Sequence, residues 1–240
     1  MNKRILFILN GIFVLCVFSI FAHGINAFNK SMDEKKVVYM TFDDGPSVLT
    51  DKVLDILKEN EVHATFFLIG NQINDRTADT VKRIADEGHQ IGVHTYSHNA
   101  SEIYASADAY YDDILKAEQA IIKRTGVVPL VYRFPYGSNN CYVMKYRKSV
   151  IKKLKNAGLN YCDWNVSGED SIGNPSVSKI IANVKSNYSR YNEPVVLLHD
   201  SAGNKATVSA LPEIIKMYKD AGYEFGTINE RSRIYQWRVR

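Results

Sequence analysis

The stretch "VVYMTFDDGPS", residues 37–47, begins as an apolar run and ends in two carboxylates and a turn. Its first six residues have the β-branched and aromatic composition of a buried strand. Asp43 and Asp44 follow at once, and ionised carboxylates are costly to bury unless each has a partner or a chemical role. Asp, Gly and Pro are turn residues, but turn chemistry does not explain two acids at the end of a buried strand. The stretch predicts a strand that delivers two acidic side chains to a site.

The rest of the chain after residue 35 alternates between short apolar runs and helical periodicities. Seven runs are predicted as strands, at residues 37–42, 64–69, 90–94, 130–134, 159–164, 194–199 and 223–228. Helices are predicted between them, at residues 48–60, 77–88, 107–126, 145–157, 176–188 and 206–221. Three helices end in glycine as left-handed caps, at Gly88, Gly158 and Gly222. Repeated βα units over residues 35–232 predict one α/β domain built on a parallel sheet or barrel.

Residues 1–30 differ from everything that follows. The basic start "MNKR" precedes an almost entirely apolar stretch over residues 5–22, which is typical of a secretory signal peptide or an N-terminal membrane anchor. Small-residue cleavage sites occur at residues 22–24 and 25–27, so cleavage and anchoring both stay open. In either case the basic start predicts that the domain lies outside the cytoplasm.

Composition excludes several classes of function. The hydrophobic fraction is 45% and the charged fraction 23%, which is ordinary for a globular protein with a core. The net charge of +4 comes from 30 basic and 26 acidic side chains, a balance that argues against nucleic acid as a partner. Cys16 lies in the apolar segment, which leaves Cys141 and Cys162 outside it. One disulfide between these two is compatible with the sequence but not required for a domain of this size.

Polar residues stand at the ends of several predicted strands. They are Asp43, Asp44, His94, Arg133, His199 and Asp200, with His98 shortly after His94. In folds of repeated βα units the reactive groups gather where the carboxyl ends of the strands meet. The sequence therefore predicts that these side chains share one rim of the sheet.

The two histidines in "HTYSH", His94 and His98, are spaced to chelate one metal ion. Two histidines alone are a weak signal, and a carboxylate from a neighbouring strand end strengthens it. Two imidazoles and one carboxylate leave open positions for water and substrate, as in catalytic metal sites. One of Asp43 and Asp44 can then be a metal ligand, while the other serves as a general base.

Four motifs carry a family resemblance. "TFDDGPS", "HTYSH", "RFPYGS" and "LLHD", in this order, resemble the motifs of the polysaccharide deacetylases that share the NodB-homology domain, carbohydrate esterase family four. The resemblance runs from about Val37 to Thr227. It implies a distorted (β/α) barrel with about seven parallel strands. It also implies metal-dependent removal of an acetyl group from an N-acetylated sugar.

The resemblance assigns roles to the first three motifs. Asp43 corresponds to the catalytic base and Asp44 to a metal ligand. His94 and His98 complete the metal site, and Arg133 corresponds to the residue that orients the base. The implied cofactor is one divalent metal ion; zinc suits two imidazoles and a carboxylate, and cobalt, manganese or nickel are alternatives.

Further roles follow from the later motifs. The backbone N–H of Tyr136 would stabilise the oxyanion, Leu197 would line the acetyl pocket, and His199 would be the general acid. Trp164 and Asp170 keep the spacing of a looser family motif, in which Asp170 would orient His199. A serine follows Asp170 where relatives have a second tryptophan, so this assignment departs from the family pattern.

The expected substrate is a polysaccharide outside the cytoplasm. "RFPYGSNN" and "DWNVSGEDS" are similar to stretches of bacterial peptidoglycan deacetylases, which favours N-acetylglucosamine of peptidoglycan. Chitin oligosaccharide, N-acetylmuramic acid and acetylxylan are alternatives within the enzyme class. A sugar-binding protein without catalysis is the alternative from another class. The membrane is a further partner if the N-terminal segment stays uncleaved.

Overall fold

The computed structural model of the protein describes residues 36–231 and 233–238. In these residues the strands are β1 Val37–Gly45, β2 Thr65–Leu68, β3 Gln90–Val93, β4 Val131–Tyr132, β5 Asn160–Tyr161, β6 Val166–Ser167, β7 Val195–His199 and β8 Glu224–Phe225. The α-helices are α1 Thr50–Glu59, α2 Ala78–Asp86, α3 Ala100–Ile103, α4 Ala107–Thr125, α5 Arg147–Asn156, α6 Val177–Lys185 and α7 Lys205–Asp220. Short 3-10 helices lie at Gly70–Gln72 and Ile228–Glu230.

The strands form one parallel sheet in the order β5-β4-β3-β2-β1-β7-β6, and β8 pairs with the first residues of β1. The predicted fold class, a distorted (β/α) barrel, is confirmed. Within the described residues no ladder joins β5 to β6, so the barrel has a seam there.

A segment near the carboxyl end of the chain lies across this seam. The N–H of Asp163, in the loop between β5 and β6, donates to the carbonyl of Tyr235 at 2.9 Å. The side-chain amide of Gln236 donates to the carbonyl of Tyr161 at 2.9 Å. Trp237 packs edge-on against Trp164, with ring centroids 4.5 Å apart. Residues 233–238 therefore cover the gap that strand pairing leaves open.

Strand β1 is buried on both faces, which explains its continuous apolar sequence. Val38, Met40 and Phe42 belong to the larger core between the sheet and the helices. Tyr39 points the other way and joins a smaller cluster inside the barrel, whose members are Phe67, Val131, Cys162, Val195 and Ile228. Because side chains alternate along a strand, Asp43 lies on the inner face with Tyr39. This alternation brings the first carboxylate to the mouth of the barrel.

Most predicted elements are present, but several strands are shorter than predicted. Strands β4, β5 and β8 contain two residues each, fewer than predicted. Strand β6 was not predicted. The three predicted glycine caps have φ values of 80°, 89° and 77° at Gly88, Gly158 and Gly222, the left-handed conformation that glycine accommodates without a steric cost.

The remaining predictions concern the N-terminal segment, the domain limits and a disulfide. The signal peptide or anchor predicted for residues 1–30 lies outside the described residues, and the domain limits of 35–232 stay a prediction. No helix within residues 36–231 and 233–238 has the length and apolar character needed to cross a bilayer. Cys141 is an exposed free thiol and Cys162 a buried one, so the two form no disulfide in this structure.

Candidate active site

Asp44, His94 and His98 converge at the carboxyl ends of β1 and β3. Asp44 Oδ1 lies 3.3 Å from His94 Nε2 and 3.2 Å from His98 Nε2. One ligand atom from each residue lies within 4.8 Å of the other two. The predicted metal ligands therefore form one compact cluster.

The protonation pattern of this cluster fits a bound cation. His94 Nδ1 is 3.0 Å from the carbonyl oxygen of Arg133, a contact that places the ring proton on Nδ1. His94 Nε2 then directs a lone pair at Asp44 Oδ1, which is buried and has no hydrogen-bond partner among the described residues. Such an arrangement of electron-rich atoms is stable when a cation lies between them. The donor set of two imidazoles and one carboxylate suits a divalent transition metal.

Burial and neighbouring charges shift the pKa values of Asp44 and His98. Burial raises the pKa of Asp44, but the neighbouring imidazoles of His94, His199 and His98 outweigh it and hold the pKa well below its usual range. Burial, followed by repulsion from His94, lowers the pKa of His98. Both shifts favour the forms that bind metal, a carboxylate and a neutral imidazole.

Unusual backbone conformations present the ligands. Asp44, Thr95 and His98 have φ values of 73°, 68° and 52°, in the left-handed region that non-glycine residues rarely adopt. Residues in such conformations concentrate at functional sites. Gly45 allows the turn after the acids, because a Cβ at this position would lie 2.6 Å from Asp200 Oδ2.

Asp43 pairs with a buried arginine. Arg133 Nη1 donates to Asp43 Oδ1 at 2.8 Å and to Thr41 Oγ1 at 2.7 Å, and Arg133 Nε donates to the carbonyl of Cys162 at 2.9 Å. Arg133 is fully buried, so it supplies both a countercharge and a fixed orientation for the carboxylate. Asp43 Oδ2 lies 3.8 Å from His94 Nε2, on the side of the metal ligands.

His199 is held by Asp170. Its Nδ1 is 2.8 Å from Asp170 Oδ1, and its backbone N–H donates to Asp170 Oδ2 at 2.7 Å. Thr207 Oγ1 also donates to Asp170 Oδ2, at 2.6 Å. Burial lowers the pKa of His199, but the hydrogen bond and charge of Asp170, with Asp43 and Asp44, outweigh it and raise the pKa to about 9. His199 therefore carries a proton at neutral pH.

These groups face one cavity of about 490 Å³. The predicted site residues that line it are Asp43, Asp44, His94, His98, Tyr136, Trp164, Leu197 and His199. Arg133 and Asp170 lie behind Asp43 and His199 and contact them directly. Tyr136, with φ of 63° and 59% exposure, stands at the rim. The structure thus brings all ten predicted residues to one place.

Sequence reasoning missed several residues of the site. Thr41 could have been found, because it lies two residues before Asp43 and shares its face of the strand. Thr207 carries no local signal, since only the packing of α7 brings it to Asp170. Ser167 and Glu169 line the cavity from the unpredicted strand β6 and the loop after it.

Three further titratable residues, outside the predicted site, have structural roles. Asp200 accepts from Thr50 Oγ1 at 2.5 Å, and burial raises its pKa to about 7. His89 Nδ1 accepts from the N–H of Ala64 at 3.2 Å, at the start of β3 and away from the cavity. Tyr110 is fully buried in the core.

The chain matches known proteins over most of its length. Residues 30–162 match the family model described as polysaccharide deacetylase. A peptidoglycan-N-acetylglucosamine deacetylase of Bacillus cereus is 35% identical over 205 residues, which cover 83% of this chain and 71% of that protein.

Solved structures agree with this assignment. The catalytic domain of a peptidoglycan N-acetylglucosamine deacetylase from Eubacterium rectale has a TM-score of 0.80 and 32% identity, covering 87% of this chain and 95% of that one. A family 4 acetyl xylan esterase from Clostridium thermocellum, in complex with a cobalt ion, has a TM-score of 0.69 and 31% identity, covering 81% and 89%. By sequence and by fold, the chain belongs to the polysaccharide deacetylase family.

Proposed function

We propose that this protein is a metal-dependent hydrolase that removes the acetyl group from N-acetylglucosamine of peptidoglycan. The observation that carries the proposal is the convergence of Asp44 Oδ1 with the Nε2 atoms of His94 and His98. A second carboxylate, Asp43, and a protonated imidazole, His199, face the same cavity. This combination supplies a metal site, a base and an acid within reach of one substrate.

Asp44, His94 and His98 would hold the ion, with zinc as the expected metal and cobalt, manganese or nickel as alternatives. When bound, the ion supplies Lewis-acid activation of the attacking water and of the acetyl carbonyl. Asp43 Oδ2 lies 3.8 Å from His94 Nε2, so the base would stand next to the residues that would hold the ion.

The chain's own residues move the protons. Asp43 takes a proton from the attacking water, and Arg133 holds its other oxygen at 2.8 Å so that the carboxylate stays aligned. The water oxygen bonds to the acetyl carbon, and the backbone N–H of Tyr136 donates to the oxyanion that forms. His199 then protonates the departing nitrogen as the C–N bond breaks. The products are acetate and a free amine.

Positioning of the substrate follows from the cavity walls. Leu197 is a buried apolar residue in the cavity wall, which suits the acetyl methyl group. Trp164 is half-buried and offers an aromatic face to a sugar ring. The Bacillus cereus and Eubacterium rectale relatives are named for N-acetylglucosamine of peptidoglycan, which supports this glycan as the substrate. The basic and apolar start of the chain supports a site of action outside the cytoplasm.

Acetylxylan is a second candidate substrate, favoured by the likeness to the Clostridium thermocellum acetyl xylan esterase. Chitin oligosaccharide and N-acetylmuramic acid offer the same amide chemistry. A sugar-binding role without catalysis is less favoured, because binding alone gives no reason for a base paired with Arg133 and an acid paired with Asp170.

The proposal is tested by acetate release from peptidoglycan, chitin oligomers and acetylxylan, with zinc-loaded protein and after chelation. We expect release from peptidoglycan that chelation abolishes and zinc restores, with the deacetylated sugar identified by mass. Release from acetylxylan alone would replace the amide substrate with an ester. Metal-independent glycan binding that Asp44→Ala leaves unchanged, with no release from any glycan, would favour the non-catalytic alternative.

A further inference from the structure

Helix α5 and the turn before it carry a strongly basic face. Residues 141–158 contain no acidic residue, and the rest of the chain has more acidic than basic side chains, so the net positive charge comes from this stretch. Its basic residues are Lys145, Arg147, Lys148, Lys152, Lys153 and Lys155. We propose that this basic face docks on the anionic headgroups of a phospholipid membrane. The inference goes beyond the proposed function and does not depend on it.

Most of these lysines form one stripe along the helix. The members of this lysine stripe are Lys145, Lys148, Lys152 and Lys155, and all of them are exposed. They are three, four and three residues apart, the spacing that places side chains on one face of a helix. Val150 and Leu154, on the other side of α5, are fully buried in the core. The core therefore fixes the helix with the lysine stripe turned towards solvent.

The lysine stripe has no countercharge from the protein. Within residues 36–231 and 233–238 none of its ammonium groups is in an ion pair, whereas Lys153, which lies off the stripe, pairs with Asp108 of α4. From Lys148 to Lys155 the stripe extends about 10 Å along the helix axis, close to the Debye length of about 8 Å at physiological salt. Its charges therefore act together on a nearby anionic surface.

Two large side chains at the beginning of the stripe favour a membrane as that surface. Tyr142 and Met144 are 55% and 59% exposed. The ring of Tyr142 stacks on that of Tyr104, with centroids 5.8 Å apart, which holds it in place at the surface. Aromatic and apolar side chains beside lysines are typical of protein surfaces that enter the headgroup region of a bilayer. A soluble phosphate polymer would pair with the lysines but would offer no apolar region to Tyr142 and Met144.

The choice of lysine also suits a fluid surface of many headgroups. A lysine ammonium is a point charge on a flexible stem, whereas arginine binds one phosphate through two parallel hydrogen bonds. The long aliphatic stems of the stripe can bend, so their ammonium groups would stay among the headgroups while Met144 lies deeper. The stripe thus fits a surface whose charges move better than it fits one fixed phosphate group.

The basic face begins beside the catalytic cavity. The ring of Tyr142 lies 5.9 Å from the ring of Tyr136, which stands at the cavity rim. A domain docked through this face would therefore hold the cavity mouth near the bilayer. For an enzyme that acts on peptidoglycan, the glycan strands next to the membrane would be the ones within reach.

The native thiol of Cys141 provides a probe next to Tyr142. Cys141 is exposed and Cys162 is buried, so an environment-sensitive dye attached to the full chain with Cys16→Ser reports on residue 141. The labelled protein is reconstituted in vesicles of phosphatidylcholine, with or without phosphatidylglycerol. Because the dye reports on the basic face itself, insertion of the N-terminal segment into lipid would not mask the result.

Charge reversal tests the lysine stripe. Lys148→Glu with Lys152→Glu reverses its centre, and Lys179→Glu with Lys185→Glu is the matched control, with the same change of net charge on exposed lysines of α6. Each basic side chain near an anionic membrane strengthens binding about fivefold. We therefore expect the pair in α5 to lower the ratio of docked to undocked protein at least about twentyfold, and the control to change it less than about twofold.

A milder variant guards against a loss of folding. Lys148→Gln with Lys152→Gln removes the two charges without reversing them, and should lower the docked fraction in the same direction by a smaller factor. Thermal unfolding of every variant shows whether the fold is retained.

We expect dye emission to move to shorter wavelength in vesicles that contain phosphatidylglycerol, to stay unchanged in phosphatidylcholine alone, and to revert at about 0.5 M salt. Equal emission in both kinds of vesicle, or equal loss of docking in the two charge-reversed variants, overturns the inference. A shift with soluble polyphosphate but not with anionic vesicles also overturns it and makes a soluble polyanion the partner. None of these measurements requires acetate release, so the inference and the proposed function fail separately.

Discussion

At the scale of single residues, the site depends on charges that are buried in pairs. Arg133 has no exposure and Asp43 has 3%, and their atoms meet at 2.8 Å. Removing one partner of a buried pair leaves the other charge without compensation, and this costs more than the pair itself contributes. The proposed catalysis and the stability of the fold would therefore depend on the same contact.

Asp43→Asn should lower kcat/KM for deacetylation at least about a hundredfold, because the amide cannot take a proton from water. It should also lower the free energy of unfolding by roughly 3 kcal/mol, since the guanidinium of Arg133 loses its countercharge. Acetate release and denaturant unfolding measure the two effects. Asp51→Asn is the control: it breaks a partly exposed pair with Arg83, at 3.2 Å, and should cost under about 1 kcal/mol. Retention of full activity by Asp43→Asn would refute its role as the base.

We expect the pKa of His199 to set the alkaline limit of the proposed activity. Because Asp170 helps raise the pKa to about 9, the proton needed by the leaving group is present at neutral pH and lost as pH rises through about 9. The stabilisation from the pair follows the same sign: it is complete below about pH 6.5, the ordinary histidine value, and disappears as pH passes about 9.

We expect kcat/KM to fall above about pH 9 in the parent, and Asp170→Asn to move this fall to lower pH by removing the charge that favours imidazolium. A pH-rate profile on one substrate measures both. An alkaline limb that stays in place in Asp170→Asn would show that another group controls it.

The buried carboxyl of Asp200 should make the stability of the fold depend on pH. Burial raises its pKa to about 7, so the folded state holds a proton that the unfolded chain loses near pH 4. The contribution of the protonated Asp200 carboxyl to the free energy of unfolding is complete below pH 4. It is progressively lost as the pH rises towards 7. Asp200→Asn keeps an oxygen that accepts from Thr50 and has no charge to bury. We expect its Tm relative to the parent to increase between pH 5 and pH 8; a constant difference would contradict the raised pKa.

At the scale of elements, β1 joins the core to the site. Phe42 is fully buried and stacks on Phe66, with ring centroids 5.1 Å apart, one residue before Asp43. Phe42→Ala should lower the free energy of unfolding by about 3–5 kcal/mol through lost burial and a cavity. Val48→Ala is the control, because Val48 is 75% exposed in the loop after the strand and should change stability by less than about 0.5 kcal/mol. Equal effects in denaturant unfolding would contradict this placement of β1.

The sequence predicts best the elements whose signal is local. The long apolar run of strand β1 predicts that the strand is buried on both faces. The positions of the acids and histidines could be predicted because reactive groups gather at the carboxyl ends of parallel strands. Strand β6 has two residues between Asn165 and Gly168, too few to show a period. Its pairing with β7, with Val166 opposite Val196, is set by tertiary packing. The same holds for Thr207 and for the segment over the seam.

At the scale of the whole molecule, a bound metal would link β1 to the loop after β3. A ligand that binds only the folded state stabilises it, by about 2.7 kcal/mol at one hundred times its Kd. We therefore expect zinc to raise Tm and chelation to lower it, with no such response in His98→Ala. Thermal unfolding with and without zinc measures this. An unchanged Tm in the parent across zinc concentrations would contradict a native metal site.

The seam of the barrel brings together the chain's two tryptophans, Trp164 and Trp237, at the edge of the cavity. Ultraviolet emission excited at the red edge of the absorption band therefore originates almost wholly from this one spot. Glycan titrations or partial unfolding at the carboxyl end should be visible as a change in intensity or wavelength without any added dye. The molecule thus contains its own optical probe, beside the chemistry that it would report.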